Sequence, residues 1–175
     1  MRVKITLSGS LIVLIACAAI LNCLSSNHVH AQTFPAGFTQ VQVANNIQAA
    51  TSVAVAPDGR VFIAQQNGRI SILKNGNLLS TPFAIISVGI SGERGLIGIA
   101  IDPNFQANNY IYIHYTVPSQ AYNKISRITA TGDFMEAGSE VTLLTLDSLS
   151  SANNHNGGGM KFGPDGKLYI CVGEN

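Results

Sequence analysis

The chain has 175 residues, 46% of them hydrophobic and 11% charged, with a formal net charge of +1 at pH 7. Ten basic residues stand against nine acidic ones with no basic stripe, which argues against nucleic acid as a partner. Three cysteines are too few for a disulfide-stapled fold, so the chain must rely on a hydrophobic core.

The first 31 residues read as a signal peptide. Arg2 and Lys4 precede an apolar run from Leu11 to Leu24, and a polar patch from Ser25 to His30 ends at Ala31. Val29-His30-Ala31 suits a signal peptidase, with cleavage expected before Gln32. A membrane span needs about 20 apolar residues, and Asn22 and Cys23 interrupt this run. The expected location is therefore secreted or periplasmic, and the protein is not expected to be integral to a membrane. A minor alternative is a lipoprotein, because Leu14-Ile15-Ala16-Cys17 has the residue types for lipid attachment, although the sequence after Cys17 stays apolar. Without the leader, eight basic and nine acidic residues remain, and Cys171 is the remaining cysteine. It lies in an apolar run and is expected to be buried.

Residues 32–175 carry a recurring unit: an apolar run, a turn containing proline, and a second apolar run. Ser52 to Ala64 has it around Pro57-Asp58-Gly59, and Gly158 to Val172 around Pro164-Asp165-Gly166. Leu96 to Phe105 and Tyr110 to Tyr115 form the middle copy, with a longer turn at Asp102-Pro103-Asn104. The turn prolines recur at intervals of 46 and 61 residues, which suits all-β propeller blades of about four strands. Val, Ile, Phe and Tyr fill the runs, as strands prefer, and proline and glycine preset the turns. Ile70 to Leu73 and Leu78 to Ile86 read as the second hairpin of the first blade. Lys124 to Ala130 and Val141 to Leu146 do the same for the second. That makes about two and a half four-stranded blades, with no useful helix after the leader. Because a propeller closes only with four or more blades, the chain is expected to be the N-terminal part of a larger domain.

In a propeller the first strand of each blade lines the channel, and the second runs back beside it. The segment entering the first strand thus shares a face with the segment leaving the second. Three polar stretches meet there: Gly92-Glu93-Arg94, Asn153-Asn154-His155-Asn156 and Gly173-Glu174-Asn175. The Pro-Asp-Gly turns belong to the opposite face, and Asp102-Pro103-Asn104 is given a structural role. His155 is the candidate general base, since imidazole takes and returns a proton near neutral pH. Glu174 could fix its tautomer. Glu93 could accept hydrogen bonds from a ligand hydroxyl, and Arg94 could face a carboxylate. Gly157, Gly158 and Gly159 could let a flat ligand approach the backbone. The same residue types also suit a plain solvated loop, and Glu93-Arg94 a surface pair. His155 has no His or Cys partner at metal-ligand spacing. His114, alternating with Tyr110 and Tyr112, reads as structural.

Two stretches, Gly92 to Phe105 and His155 to Glu174, resemble the glucose/sorbosone dehydrogenase family, and the similarity runs roughly from Phe38 to Asn175. The resemblance implies an exported six-bladed propeller that uses pyrroloquinoline quinone (PQQ) and calcium. It implies a sugar substrate, an external electron acceptor, and His155 as the residue that deprotonates a sugar hydroxyl. Glu174 falls where an acid supports that histidine. Glu93 and Asn154 fall at cofactor-binding positions, but where the best-studied glucose enzyme has a glutamine and an aspartate. These exchanges of amide and carboxylate alter charge and hydrogen-bond polarity, and they put glucose itself in doubt. The cations that grip the quinone carboxylates, and the calcium ligands, are expected in later blades. Two other functions fit a propeller of this kind: a non-catalytic carbohydrate- or protein-binding module, and a metal-dependent lactonase.

Overall fold

The structure, a computed structural model, describes residues 34–174; the expected leader, with Cys17 and Cys23, lies outside the described residues, as does Asn175. The chain divides at Val41. Before that point, residues 34–41 hold a turn in which the Phe38 N–H donates to the Pro35 carbonyl at 3.0 Å. From Gln42 onward the chain forms antiparallel sheets. Among the described residues no helix is long and apolar enough to cross a membrane.

The first sheet holds β1 (Ala50–Val55), β2 (Val61–Gln65) and β3 (Arg69–Lys74), then two short strands, β4 (Asn77–Leu78) and β5 (Ala84–Ile85), both paired with β3. The second holds β6 (Leu96–Ile101), β7 (Tyr110–Thr116) and β8 (Tyr122–Thr131), with β9 (Phe134–Met135) and β10 (Val141–Ser148) both on β8. β11 (Gly157–Phe162) and β12 (Leu168–Val172) make the third. Each full sheet is thus a four-position blade whose outermost position is split. Where one continuous strand was expected from Leu78 to Ile86, Pro82 has no N–H for the ladder. The Leu79 and Phe83 N–H groups instead reach the Ile72 and Ile70 carbonyls, at 2.9 and 2.8 Å, on either side of the break.

The turns repeat as closely as the strands. In the first, Gly59 N–H bonds to the Ala56 carbonyl at 2.9 Å, and Asp58 Oδ1 accepts from Arg60 N–H at 3.1 Å. In the third, Gly166 N–H bonds to the Gly163 carbonyl at 3.0 Å, and Asp165 Oδ1 accepts from Lys167 N–H at 3.1 Å. The longer middle turn winds one four-residue helix, α1 (Phe105–Asn108), closed by Asn109 in the left-handed region at φ 59°. Asp102 organises it: its carboxylate accepts from the Asn104 N–H at 2.8 Å and the Tyr112 hydroxyl at 2.8 Å. Burial pushes the Asp102 carboxyl up, but bonds from Asn108, Asn104 and Tyr112 outweigh this and hold it below its ordinary value. The structural role expected for this turn stands.

The blades pack face to face. Ile70, Ile72, Leu96, Ile111, Ile113 and Ile128 are fully buried in the core between the first two sheets. Burying such a side chain contributes about 1.5–3 kcal/mol. The first strands lie side by side around an axis, β1 on β6 and β6 on β11. Thr51 Oγ1 donates to the Leu96 carbonyl at 2.7 Å. Glycines let β6 and β11 touch: a Cβ on Gly158 would lie 2.6 Å from the Ile97 carbonyl, and one on Gly98 would overlap the Gly158 carbonyl. This is the radial arrangement of a β-propeller, with about two and a half blades present.

Two expectations fail here. Cys171 is exposed rather than buried, because no further layer covers that side of β12 among the described residues. Within the glycine run, Gly157 and Gly158 make room for protein rather than for a flat ligand. Gly158 meets Ile97, and a Cβ on Gly157 would sit 2.6 Å from the Cys171 carbonyl.

Candidate active site

The loop entering β6 begins as a tight turn. Arg94 N–H bonds back to the Ser91 carbonyl at 2.9 Å, and Gly92 takes φ +56°. Glycine suits that φ, and there is no space for a side chain either: a Cβ would lie 2.5 Å from the Asn153 carbonyl. The loop is thereby pressed against the segment entering β11.

Polar bonds fasten the two segments. Glu93 N–H donates to the Asn153 carbonyl at 2.8 Å, and the Glu93 carboxylate accepts the His155 backbone N–H at 2.6 Å. The Arg94 guanidinium donates to the Ser150 and Ala152 carbonyls at 2.8 and 2.6 Å. The arginine was expected to face a carboxylate or pair with its neighbour. It anchors backbone instead, because the loop packing brings two carbonyls to its fork. Gln66, in the loop after β2, adds the first blade: its Nε2 donates to the Gly92 and Arg94 carbonyls at 2.5 and 3.0 Å.

His155 sits at the centre with a left-handed backbone, φ 57°. Its side chain is 59% exposed, and its Nδ1 pairs with Oε1 of Glu174, itself 75% exposed at the end of β12. The backbone N–H of Glu174 and the His155 imidazole together hold the Glu174 carboxyl below the ordinary carboxylate range. A charged Glu174 takes Nδ1–H as its donor, which leaves Nε2 to accept a proton. The approach of the two segments depends on Gly173, since a Cβ there would overlap the His155 carbonyl. Asn154 is exposed in the same loop. Two residues on, Asn156 is 2% exposed and its amide has no partner among the described residues.

The structure therefore brings Glu93, His155 and Glu174 into one bonded cluster, with Asn154 adjacent to His155 in the chain, on the face opposite the Pro-Asp-Gly turns. Gln66 had no readable signal in the sequence, and Gly173 was placed on this face without its packing role. A glutamine that bonds backbone carbonyls 26 and 28 residues away leaves no motif, and the close approach of Gly173 to the His155 carbonyl is visible only in the fold.

The sequence pattern of glucose/sorbosone dehydrogenases matches residues 47–175. The chain belongs to the glucose/sorbosone dehydrogenase family. Among solved structures it is similar to a putative oxidoreductase (glucose dehydrogenase) of Thermus thermophilus, 32% identical with a TM-score of 0.69, covering 77% of this chain and 40% of that one. It is also similar to the PQQ-bound aldose sugar dehydrogenase of Streptomyces coelicolor, 28% identical with a TM-score of 0.64, covering 75% and 40%. A further relative is mouse Hedgehog-interacting protein, 29% identical over 151 residues, or 76% of this chain and 22% of that protein. The chain thus spans about a fifth of that relative's length and two-fifths of each solved chain.

Proposed function

We propose that the full-length protein is an exported oxidoreductase that oxidises a sugar hydroxyl with PQQ, and passes the electrons on to an external acceptor. The observation that carries this reading is the exposed His155 imidazole, tied through Nδ1 to Glu174 on the site face of a glucose/sorbosone dehydrogenase blade. The PQQ-bound state of a family structure supports the cofactor. When bound, PQQ supplies the two-electron oxidant for the hydride on the hydroxyl-bearing carbon. His155 Nε2 takes the hydroxyl proton as the carbonyl forms. Glu174 holds the tautomer that makes Nε2 the acceptor, and stabilises the imidazolium once the proton has moved.

The residues present fit such a ligand in part. An exposed imidazole and the exposed Asn154 amide can border a flat, hydrogen-bonding group. Arg94 Nη2 is bonded to two backbone carbonyls, and by the family resemblance the cations for the quinone carboxylates belong to later blades. Calcium takes oxygen ligands, backbone carbonyls among them, and by the same resemblance its site belongs to later blades.

Dye reduction by the full-length protein, supplied with PQQ, calcium and a panel of aldoses, tests the reading. His155→Ala should slow the reaction by about 10²–10⁴-fold, the contribution typical of a general base. An unchanged rate would remove His155 from the mechanism, and no reduction of dye with any aldose at saturating PQQ would sink the dehydrogenase. A second reading, a non-catalytic binding propeller, is favoured by the similarity to a protein named for its interaction with Hedgehog. It requires ligand binding without PQQ uptake.

A further inference from the structure

We infer that Glu93 is a positioning residue, whose carboxylate sets the backbone of His155 and thereby aims the imidazole. The inference rests on the dehydrogenase reading of the site and adds a role to it, since the resemblance places Glu93 at the cofactor.

Three observations carry the inference. His155 is a non-glycine residue in the left-handed region, at φ 57°. That conformation is sparsely populated by side-chain-bearing residues and persists where surrounding contacts impose it. The contact at its N–H is the Glu93 carboxylate at 2.6 Å, a charge-assisted bond about twice as strong as a neutral one. Finally, Glu93 is itself fixed. Its own N–H is on the Asn153 carbonyl, Gly92 before it packs so closely on Asn153 that no side chain would fit between them, and Arg94 after it is bonded to the Ser150 and Ala152 carbonyls.

The consequence is geometric. Two carboxylates bracket one histidine, Glu93 at the main-chain nitrogen and Glu174 at Nδ1. The first chooses the backbone conformation and the second chooses the ring orientation and tautomer. Gln66 extends the frame to the first blade by holding the carbonyls on both sides of Glu93. Three successive blades thus contribute to the placement of a side chain that belongs to the third. Without the Glu93 bond, the His155 backbone can relax out of the left-handed region, which turns the imidazole away from Glu174 and from substrate.

The full-length protein with PQQ, calcium and aldose supplies the kinetic test. Glu93→Ala should lower kcat by about 100-fold, the penalty of a misplacement near 1 Å, with KM and PQQ affinity held. Glu93→Gln keeps an acceptor oxygen and should return kcat to within about fivefold of the parent, because a neutral acceptor makes a bond about half as strong. A loss that appears in PQQ affinity while kcat at saturation is unchanged would overturn the inference in favour of a cofactor ligand. So would equal damage by Gln and Ala. Nuclear magnetic resonance of the ¹⁵N-histidine-labelled protein reads the clamp without any turnover. The His155 amide should be shifted downfield and protected from exchange, and Glu93→Ala should abolish both. Fast exchange in the parent would end the proposal. A parent that oxidises no sugar but shows the protected amide would instead fail the dehydrogenase reading and keep the clamp.

Discussion

The two ends of the first blades handle charge in opposite ways. At the turn end, Arg60 pairs with Asp58 at 2.7 Å and Asp133 at 3.3 Å, and Lys74 closes on Asp133 at 2.7 Å. Each charge there has an opposite charge beside it. At the site end, Arg94 and Glu93 spend their charges on backbone groups, and the His155–Glu174 pair lies exposed. The turn end neutralises itself and ties the blades together. The site end leaves a titratable ring facing outward on a frame built by main-chain bonds. A cluster that satisfies itself is a structural cluster, whereas one held from behind with its front open is able to act on a ligand.

Gly173 offers the most forceful way to break the site end. Gly173→Ala places a methyl group where the His155 carbonyl lies, without any demand for a positive φ. The β12 end and the His155 loop must then separate, and Glu174 loses Nδ1. Turnover of the full-length protein should drop by about 100-fold, while PQQ affinity changes far less. An alanine variant with parental kinetics would show that the close approach of these segments contributes nothing to the chemistry.

The contrast between the ends also explains what the sequence could disclose. The turns themselves were legible because they are local: Pro57-Asp58-Gly59 and Pro164-Asp165-Gly166 each make their bonds within five residues, whereas the ion pairs of Arg60 and Lys74 with Asp133 span 73 and 59 residues and left no signal. The apolar runs flanking the turns likewise disclosed β1, β2, β6, β7, β11 and β12. The site end was legible only as a set of residue types. His155, Glu174, Glu93 and Asn154 could be gathered by propeller topology, but the bonds among them depend on loop geometry. Glu93 meets a backbone N–H 62 residues away, a partner that no side-chain pattern marks. Arg94 was misread for the same reason, as backbone carbonyls have no sequence signature. The glycines from Gly157 to Gly159 suggested open space, but β12 closes on Gly157 and β6 on Gly158.

Between the two ends lies His114, fully buried on β7, opposite Gly98, with no partner for either ring nitrogen among the described residues. Burial lowers it to about 4 from an ordinary 6.5. The unfolded chain therefore takes up a proton near pH 6.5, while the folded chain resists until about pH 4. The stability contributed by the neutral ring is fully present above pH 6.5 and drains away as pH falls through that window. At 1.36 kcal/mol per unit the loss is on the order of 3 kcal/mol at most. Urea midpoints of the full-length protein should fall between pH 7 and 4.5, and His114→Leu should flatten that part of the curve. The same slope in the leucine variant would assign the acid sensitivity to other groups. This result would separate the interior of the blades from both charged ends, since His114 shares neither the closed ion pairs nor the exposed site.

Arg60 gives the smallest and most selective test, because it should affect the turn end alone. Its side chain is 11% exposed, and its guanidinium lies over the rings of Phe62 and Phe105 at 5.2 and 5.5 Å while reaching Asp58, Asp133 and the Gly132 carbonyl. The guanidinium lowers the Asp58 carboxyl below its ordinary value by hydrogen bonding, against a smaller upward push from burial. Arg60→Ala removes the cation over two rings and leaves Asp58 without its partner. A loss of about 2 kcal/mol follows, one part from the desolvated cation–π contacts and one from the charged hydrogen bonds. Arg60→Lys keeps the charge but not the planar fork, so it should recover only a minority of the loss. Neither variant should alter turnover, since the blade length separates this network from His155. If Arg60→Ala instead slowed the reaction as much as it lowered the urea midpoint, the two ends would be mechanically coupled through the blades.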